Sequence, residues 1–205
     1  MCTNYRPGAR DLLRAHLALD ESAWPQAWPD EVWPTYLGPI LRQDGAVLRA
    51  ELGRFGLVPH WAKDAAFGRR TYNARSETLA EKPSFRDAWR RGQRCLVPAL
   101  WFCEPNWESG QSVRWRIFDE GGEPLTLAGL WARWRAPEGD WLTSYTLVTV
   151  NADLHPLMRC FHRPGEEKRS VVVLRNGERA AWLTGDLGQA QALLKTPAGL
   201  DAAPL

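Results

Sequence analysis

Two groups of residues in this chain of 205 have the types and spacing to do chemistry. The first is Met1-Cys2. Methionine removal is permitted when the next residue is small, and it leaves Cys2 with an α-amine and a thiol on adjacent carbons. Those groups ordinarily titrate at about 7.7–8.0 and about 8.5, so both are partly deprotonated near neutrality. The amine makes a Schiff base with an aldehyde, and the neighbouring thiol can close on that imine to give a five-membered thiazolidine. The competing reading is an incidental cysteine on a frayed terminus, where disorder concentrates. The second group is Asn73-Ala74-Arg75-Ser76-Glu77-Thr78. Asn73 can donate to a substrate oxygen or to the amine, and Arg75 can clamp a phosphate in a bidentate fork.

Two further residues suit proton transfer. Glu104 closes an apolar run, a setting that withdraws a carboxyl group from water and suits general acid–base work; a strand-end salt bridge is the alternative. His162 lies between Arg159 and Arg163 in a loop-like segment. It reads as a proton shuttle beside an anion site or as a structural histidine, with His155 in reserve. Arginines crowd residues 69–94 (Arg69, Arg70, Arg75, Arg86, Arg90, Arg91, Arg94), opposed by Glu77, Glu81 and Asp87. Basic residues interleaved with aromatics suit a phosphate-lined groove, and a solvated helix face with local ion pairs is the alternative.

Composition sets bounds. A net charge of +2 neither demands nor excludes nucleic acid, so the placement of charge matters more than its sum. Twelve tryptophans exceed what base stacking needs, so most belong to the core. Cys2, Cys95, Cys103 and Cys160 form no CxxC pair and no zinc-like spacing; no metal and no cofactor are expected. Asn4, Arg6 and Arg10 interrupt any signal-peptide pattern, and no run approaches the roughly 20 apolar residues of a membrane span. The expected compartment is the reducing cytoplasm, which keeps Cys2 a thiol.

The elements that must position these residues follow from pattern. Residues 9–19 carry Leu12, Leu13 and Leu17 at helical spacing, and residues 24–34 are a proline-broken loop held by Trp24, Trp28 and Trp33. Asp44-Gly45 predicts a hairpin. Ser84 reads as the N-cap of a short helix. Residues 95–103 read as one core strand, residues 113–131 and 171–183 as two hairpins, and residues 187–194 as a closing helix. The expectation is one α+β domain over residues 1–195, with an antiparallel, barrel-like β core, peripheral short helices, and a loose tail at 196–205.

Several of these segments occur together in one order: Met1-Cys2, residues 55–64 (Phe-Gly-Leu-Val-Pro-His-Trp-Ala-Lys-Asp), residues 73–78, Arg94-Cys95-Leu96-Val97-Pro98-Ala99, Ala128-Gly129-Leu130-Trp131 and the His162 segment. From Met1 to about Leu183 the chain resembles the SOS-response-associated peptidase (SRAP) family. The resemblance implies a thiazolidine crosslink between Cys2 and the ring-opened aldehyde of an abasic site in single-stranded DNA. It implies that Asn73 orients the sugar-derived end of the lesion, and that Glu104 assists proton transfer and crosslink reversal. His162 would open the sugar ring. Arg75 would hold phosphate, with Trp61, Arg6, Arg86 and Arg163 as further DNA contacts, Arg6 standing in for an arginine usual beside the cysteine. A monomer would suffice, associated with the nucleoid when on DNA. The alternatives are a cysteine peptidase limited to removing its own Met1, and a non-catalytic single-strand-binding module.

Overall fold

The structure, a computed structural model, describes every residue except Met1, Glu21 and Pro25; the expectations about Met1 removal and the break at Pro25 fall outside the described residues. After the short strand β1 (Tyr5–Arg6), helix α1 (Arg10–Leu17) forms where its periodicity predicts. Leu13 is its buried anchor. The described residues among 24–34 are irregular except for one bridge to β1, Tyr5 to Val32. Trp24 is buried, and its indole N–H donates to the Ile40 and Glu51 carbonyls at 3.2 Å.

The Asp-Gly hairpin is β2 (Leu37–Asp44) and β3 (Val47–Phe55), turning on Gly45 at φ 61°. There follow β4 (Asn73–Arg75), α2 (Arg86–Arg90), β5 (Arg94–Ala99), β6 (Trp101–Asn106), β7 (Val113–Asp119), β8 (Leu125–Arg135) and β9 (Trp141–Asn151). The chain ends with β10 (Arg169–Val171), α3 (Arg179–Thr184), α4 (Leu187–Ala192) and β11 (Leu200–Pro204).

Strands β9, β3, β2, β5 and β8 close on one another as a five-stranded barrel, because β8 also pairs with β9. The expected α+β class with a barrel-like core and short outer helices holds. One detail differs: the β3–β9 closure is parallel, and β4 also runs parallel to β9. A second, antiparallel sheet has the order β1-β6-β7-β11.

Two hydrophobic clusters explain the apolar runs. Leu96, Ala128, Leu130 and Val148 pack with Leu13, Trp89, Trp182 and Ala190 of the four helices. Cys95, Val97, Leu127 and Leu147 pack with Tyr5, Phe102 and Ile117 of the second sheet. Successive strand residues point to opposite faces, so a strand covered on both sides, such as β5, reads as continuously apolar.

Five expectations are corrected. Residues 95–103 break at Leu100 into β5 and β6, which lie in different sheets. Strands β7 and β8 likewise belong to different sheets and form no hairpin; Asp119 takes the Gly121 N–H (3.0 Å) and ion-pairs with Arg175 (2.7 Å), redirecting the chain. The second half of the late hairpin is helix α3, whose Trp182 and Leu183 bury against the first cluster. At α2 the N-cap position is Phe85, without a side-chain bond, in place of Ser84. The tail is not loose: β11 pairs with β7 from Leu200↔Asp119 to Pro204↔Trp115. Its Leu-Asp-Ala-Ala-Pro sequence has low strand propensity, and the open edge of β7 supplies the partner.

Candidate active site

Cys2 is buried in the second cluster, where its thiol donates to the Asn4 carbonyl at 3.4 Å. The Cys103 N–H donates to that same carbonyl at 2.9 Å, tying residues 2–4 to β6. Two residues apart on β6, Phe102 and Glu104 share a face, and Phe102 belongs to the cluster that contains Cys2. Glu104 is 1% exposed. Its Oε2 lies 3.1 Å from Nε2 of buried His162.

His162 is placed by β6 as well. Phe161 bridges Asn106, and the His162 N–H donates to the Pro105 carbonyl at 2.8 Å. Its φ of 65° puts it in the left-handed region, which few residues other than glycine occupy without support. Asn73 arrives from the barrel: β4 runs beside β9, Asn73 opposite Leu147, and its Nδ2 donates to the Cys2 carbonyl at 2.7 Å. Among the described residues, Asn73 Oδ1 and His162 Nδ1 are buried without a hydrogen-bond partner, leaving one acceptor and one ring nitrogen for a ligand. Burial first, then the Glu104 carboxylate, pushes the Cys2 thiol well above its ordinary range. Burial, then Cys2 and Glu104, raises Tyr72 too.

The sequence-nominated residues divide accordingly. Cys2, Asn73, Glu104 and His162 are brought together. His155 is committed elsewhere: its Nδ1 accepts the Leu157 and Met158 N–H groups (3.1 and 3.0 Å), and its Nε2 meets the Pro197 carbonyl (2.6 Å). Arg75 is half-exposed and pairs with Glu167 at 2.8 Å. Arg163 lies over the Trp107 ring, 5.0 Å from its centroid. Trp61 is exposed and packs edge-on against Phe67 (5.1 Å) over the separate cluster of Val58, Ala62 and Trp134. It borders a hollow of about 690 Å³ with Lys63, Arg69 and Arg70. Arg86 lies beside Asp87 on α2. Arg6 takes the solvent side of β1, lining a hollow with Arg10, Trp28 and Leu100.

Sequence reasoning missed the cation beside Cys103. Arg114 on β7 offsets part of the upward push that burial gives the Cys103 thiol, and it reaches Glu31 at 2.7 Å, with its guanidinium 5.2 Å from the Trp33 centroid. Asn4 donates to the same Glu31 oxygen at 2.7 Å. No local signal links residues 4, 31 and 114. Arg169 was also missed; it is 1% exposed and forks onto Glu77 through two bonds of 2.9 Å.

A mixed five-stranded barrel with Cys2 held between it and a second sheet defines a recognisable class of protein. The family model described as SOS response associated peptidase (SRAP) matches residues 1–204, and the chain belongs to that family. A crystal structure of a Bordetella bronchiseptica protein superposes with a TM-score of 0.88 at 38% identity, covering 100% of this chain and 99% of that one. A Bacteroides thetaiotaomicron structure shares the fold, with a TM-score of 0.85 at 20% identity over 100% and 92% of the two chains. Among curated relatives, the abasic site processing protein YoqW of Bacillus subtilis is 36% identical over 141 residues, 68% of this chain and 59% of its own length. The abasic site processing protein HMCES of Rattus norvegicus is 31% identical over 139 residues, 51% of this chain and 39% of its own. The matches to these two relatives thus cover 59% or less of the relatives' lengths.

Proposed function

We propose that the chain captures abasic sites in single-stranded DNA covalently, through Cys2 once Met1 has been removed. The observation that carries this reading is the convergence of Asn73 and the buried Glu104–His162 pair on Cys2; the names of the curated relatives point the same way. The order of steps follows from the electrostatics. A thiol pushed up by burial and by Glu104 stays protonated near neutrality, so the amine acts first. The Cys2 nitrogen attacks C1′ of the ring-opened sugar. His162 is the acid for ring opening, and the carbinolamine loses water to give the iminium. The thiol then adds to the imine carbon, its proton passing through Glu104 to the ring nitrogen. Reversal runs the same path, with Glu104 protonating the leaving group. Asn73 holds the Cys2 carbonyl so that the amine and thiol face one carbon. The raised thiol argues against a peptidase, whose nucleophile must be a thiolate.

The test uses protein whose intact mass shows Met1 absent, incubated with a single-stranded oligonucleotide carrying one abasic site. A heat-stable adduct is expected. Cys2→Ser keeps the amine, so it should give a product trapped by borohydride but no heat-stable adduct. No heat-stable adduct with the parent protein, or an equal one with Cys2→Ser, overturns the proposal.

A further inference from the structure

The loop after His162 places a carboxylate on Arg75, two residues along β4 from Asn73. Oε2 of Glu167 lies 2.8 Å from Nη1 of Arg75, while Oε1 accepts from Nη1 of Arg169 (2.8 Å) and Nδ2 of Asn151 (3.1 Å). Three donors from β4, β9 and β10 thus converge on one carboxylate. Arg169 does not depend on it, because the Glu77 fork and the Thr149 carbonyl (2.8 Å) also hold that guanidinium. Arg75 has only Glu167 as ion-pair partner among the described residues, and both side chains are partly open to water. The loop is held in place as Lys168 Nζ donates to the His162 and Arg163 carbonyls (3.2 and 2.9 Å). Bonds from Arg169, outweighing slight burial, hold the Glu167 carboxyl below the ordinary glutamate range, so it is charged.

A guanidinium and an amide N–H that fit a carboxylate also fit the non-bridging oxygens of a phosphodiester. We infer that Glu167 occupies the place of a DNA backbone phosphate at Arg75, and that an incoming strand must displace it. This rests on the proposed function together with the expectation that the Arg75 guanidinium clamps a phosphate. The consequence is selectivity. Undamaged single strands bind weakly because each must first displace Glu167, while an abasic strand is retained by its covalent bond.

Glu167→Gln is nearly isosteric and leaves the Arg169–Glu77 fork intact, and thermal melting checks the fold. The measurement is binding of an undamaged single-stranded oligonucleotide by fluorescence anisotropy across a salt series, which requires no chemistry at Cys2. Glu167→Gln should bind about twofold to fivefold tighter at low salt, the range an exposed ion pair supports. Its plot of log affinity against log salt should steepen by about 0.7, the value for one more phosphate contact on a single strand. Arg75→Ala should cancel that gain in the Glu167→Gln background and cost the parent less. Unchanged or weaker binding by Glu167→Gln, with an unchanged slope, overturns the inference while leaving capture of abasic DNA by the parent intact. No binding by either protein at low salt overturns the inference alone, because the heat-stable adduct with abasic DNA tests the proposed function separately.

Discussion

Arg169→Met is the sharpest test of what holds the site in register. Arg169 is 1% exposed and makes two bonds to Glu77, one to Glu167 and two to Thr149. Methionine fills much of the same volume but leaves both carboxylates without their shared cation. Breaking a buried ion pair from one side costs about 3–5 kcal/mol. The lower end applies, because the side chains of Glu77 and Glu167 are 47% and 35% exposed and water screens them. About 3 kcal/mol, in a chain of this length, lowers Tm by roughly 6–12 °C. The pH dependence gives a second reading. For Glu77, burial alone raises the carboxyl, but the Arg169 bonds win and lower it; Glu167 is lowered chiefly by Arg169. Folded values below the unfolded ones add stability that is present above the unfolded value and lost as pH falls through the folded one. The gap in Tm between parent and variant should therefore be full at pH 7 and shrink below the ordinary glutamate range. Calorimetric melts at pH 7 and pH 3.5 measure both. A Tm within about 2 °C of the parent at pH 7, or a gap that widens in acid, refutes the argument.

Other perturbations separate chemistry from packing. Asn73→Ala removes the 2.7 Å bond to the Cys2 carbonyl and should slow adduct formation in single-turnover assays by about tenfold to a hundredfold, with little change in affinity for undamaged DNA. Glu104→Gln should slow it by about 10²–10⁴ while moving the Cys2 thiol down toward its ordinary range, a titration that the Cβ resonance of labelled Cys2 reports. Removing residues 196–205 bares the β7 edge that β11 covers; melting should begin several degrees lower, and light scattering should show concentration-dependent association.

What could be read before the structure was local. Helix α1 and the β2–β3 hairpin announce themselves through leucine spacing and Asp44-Gly45, because both signals act within a few residues. The β7–β8 segment misled for a physical reason: strand-turn-strand patterning reveals two strands but not whether one sheet holds both, and here two sheets do. Ala180-Ala181-Trp182-Leu183 has enough apolar character to pass for a strand, but its alanines and leucine favour helix, and the helix packs on β5. In the site, Cys2, Asn73, Glu104 and His162 were nominated by residue type and family order. The Asn4–Glu31–Arg114 chain was not, since its bonds span 27 and 83 positions and no periodicity encodes such a meeting.

The segment between His162 and Arg169 is clamped at both ends. Upstream, Phe161 and His162 are bonded to Asn106 and Pro105 of β6; downstream, Arg169 is locked to Glu77 and Thr149. Residues 164–166, between Arg163 and the bonded pair Glu167 and Lys168, can change length without altering the distance from Glu104 to His162, because both belong to the β6 clamp. Doubling such a loop costs only about 0.6 kcal/mol of closure entropy. This makes the segment the natural port for engineering: a peptide epitope, a fluorophore-bearing cysteine or a longer DNA-gripping insert can be grafted there, a few residues from the reactive centre, without rebuilding the centre itself.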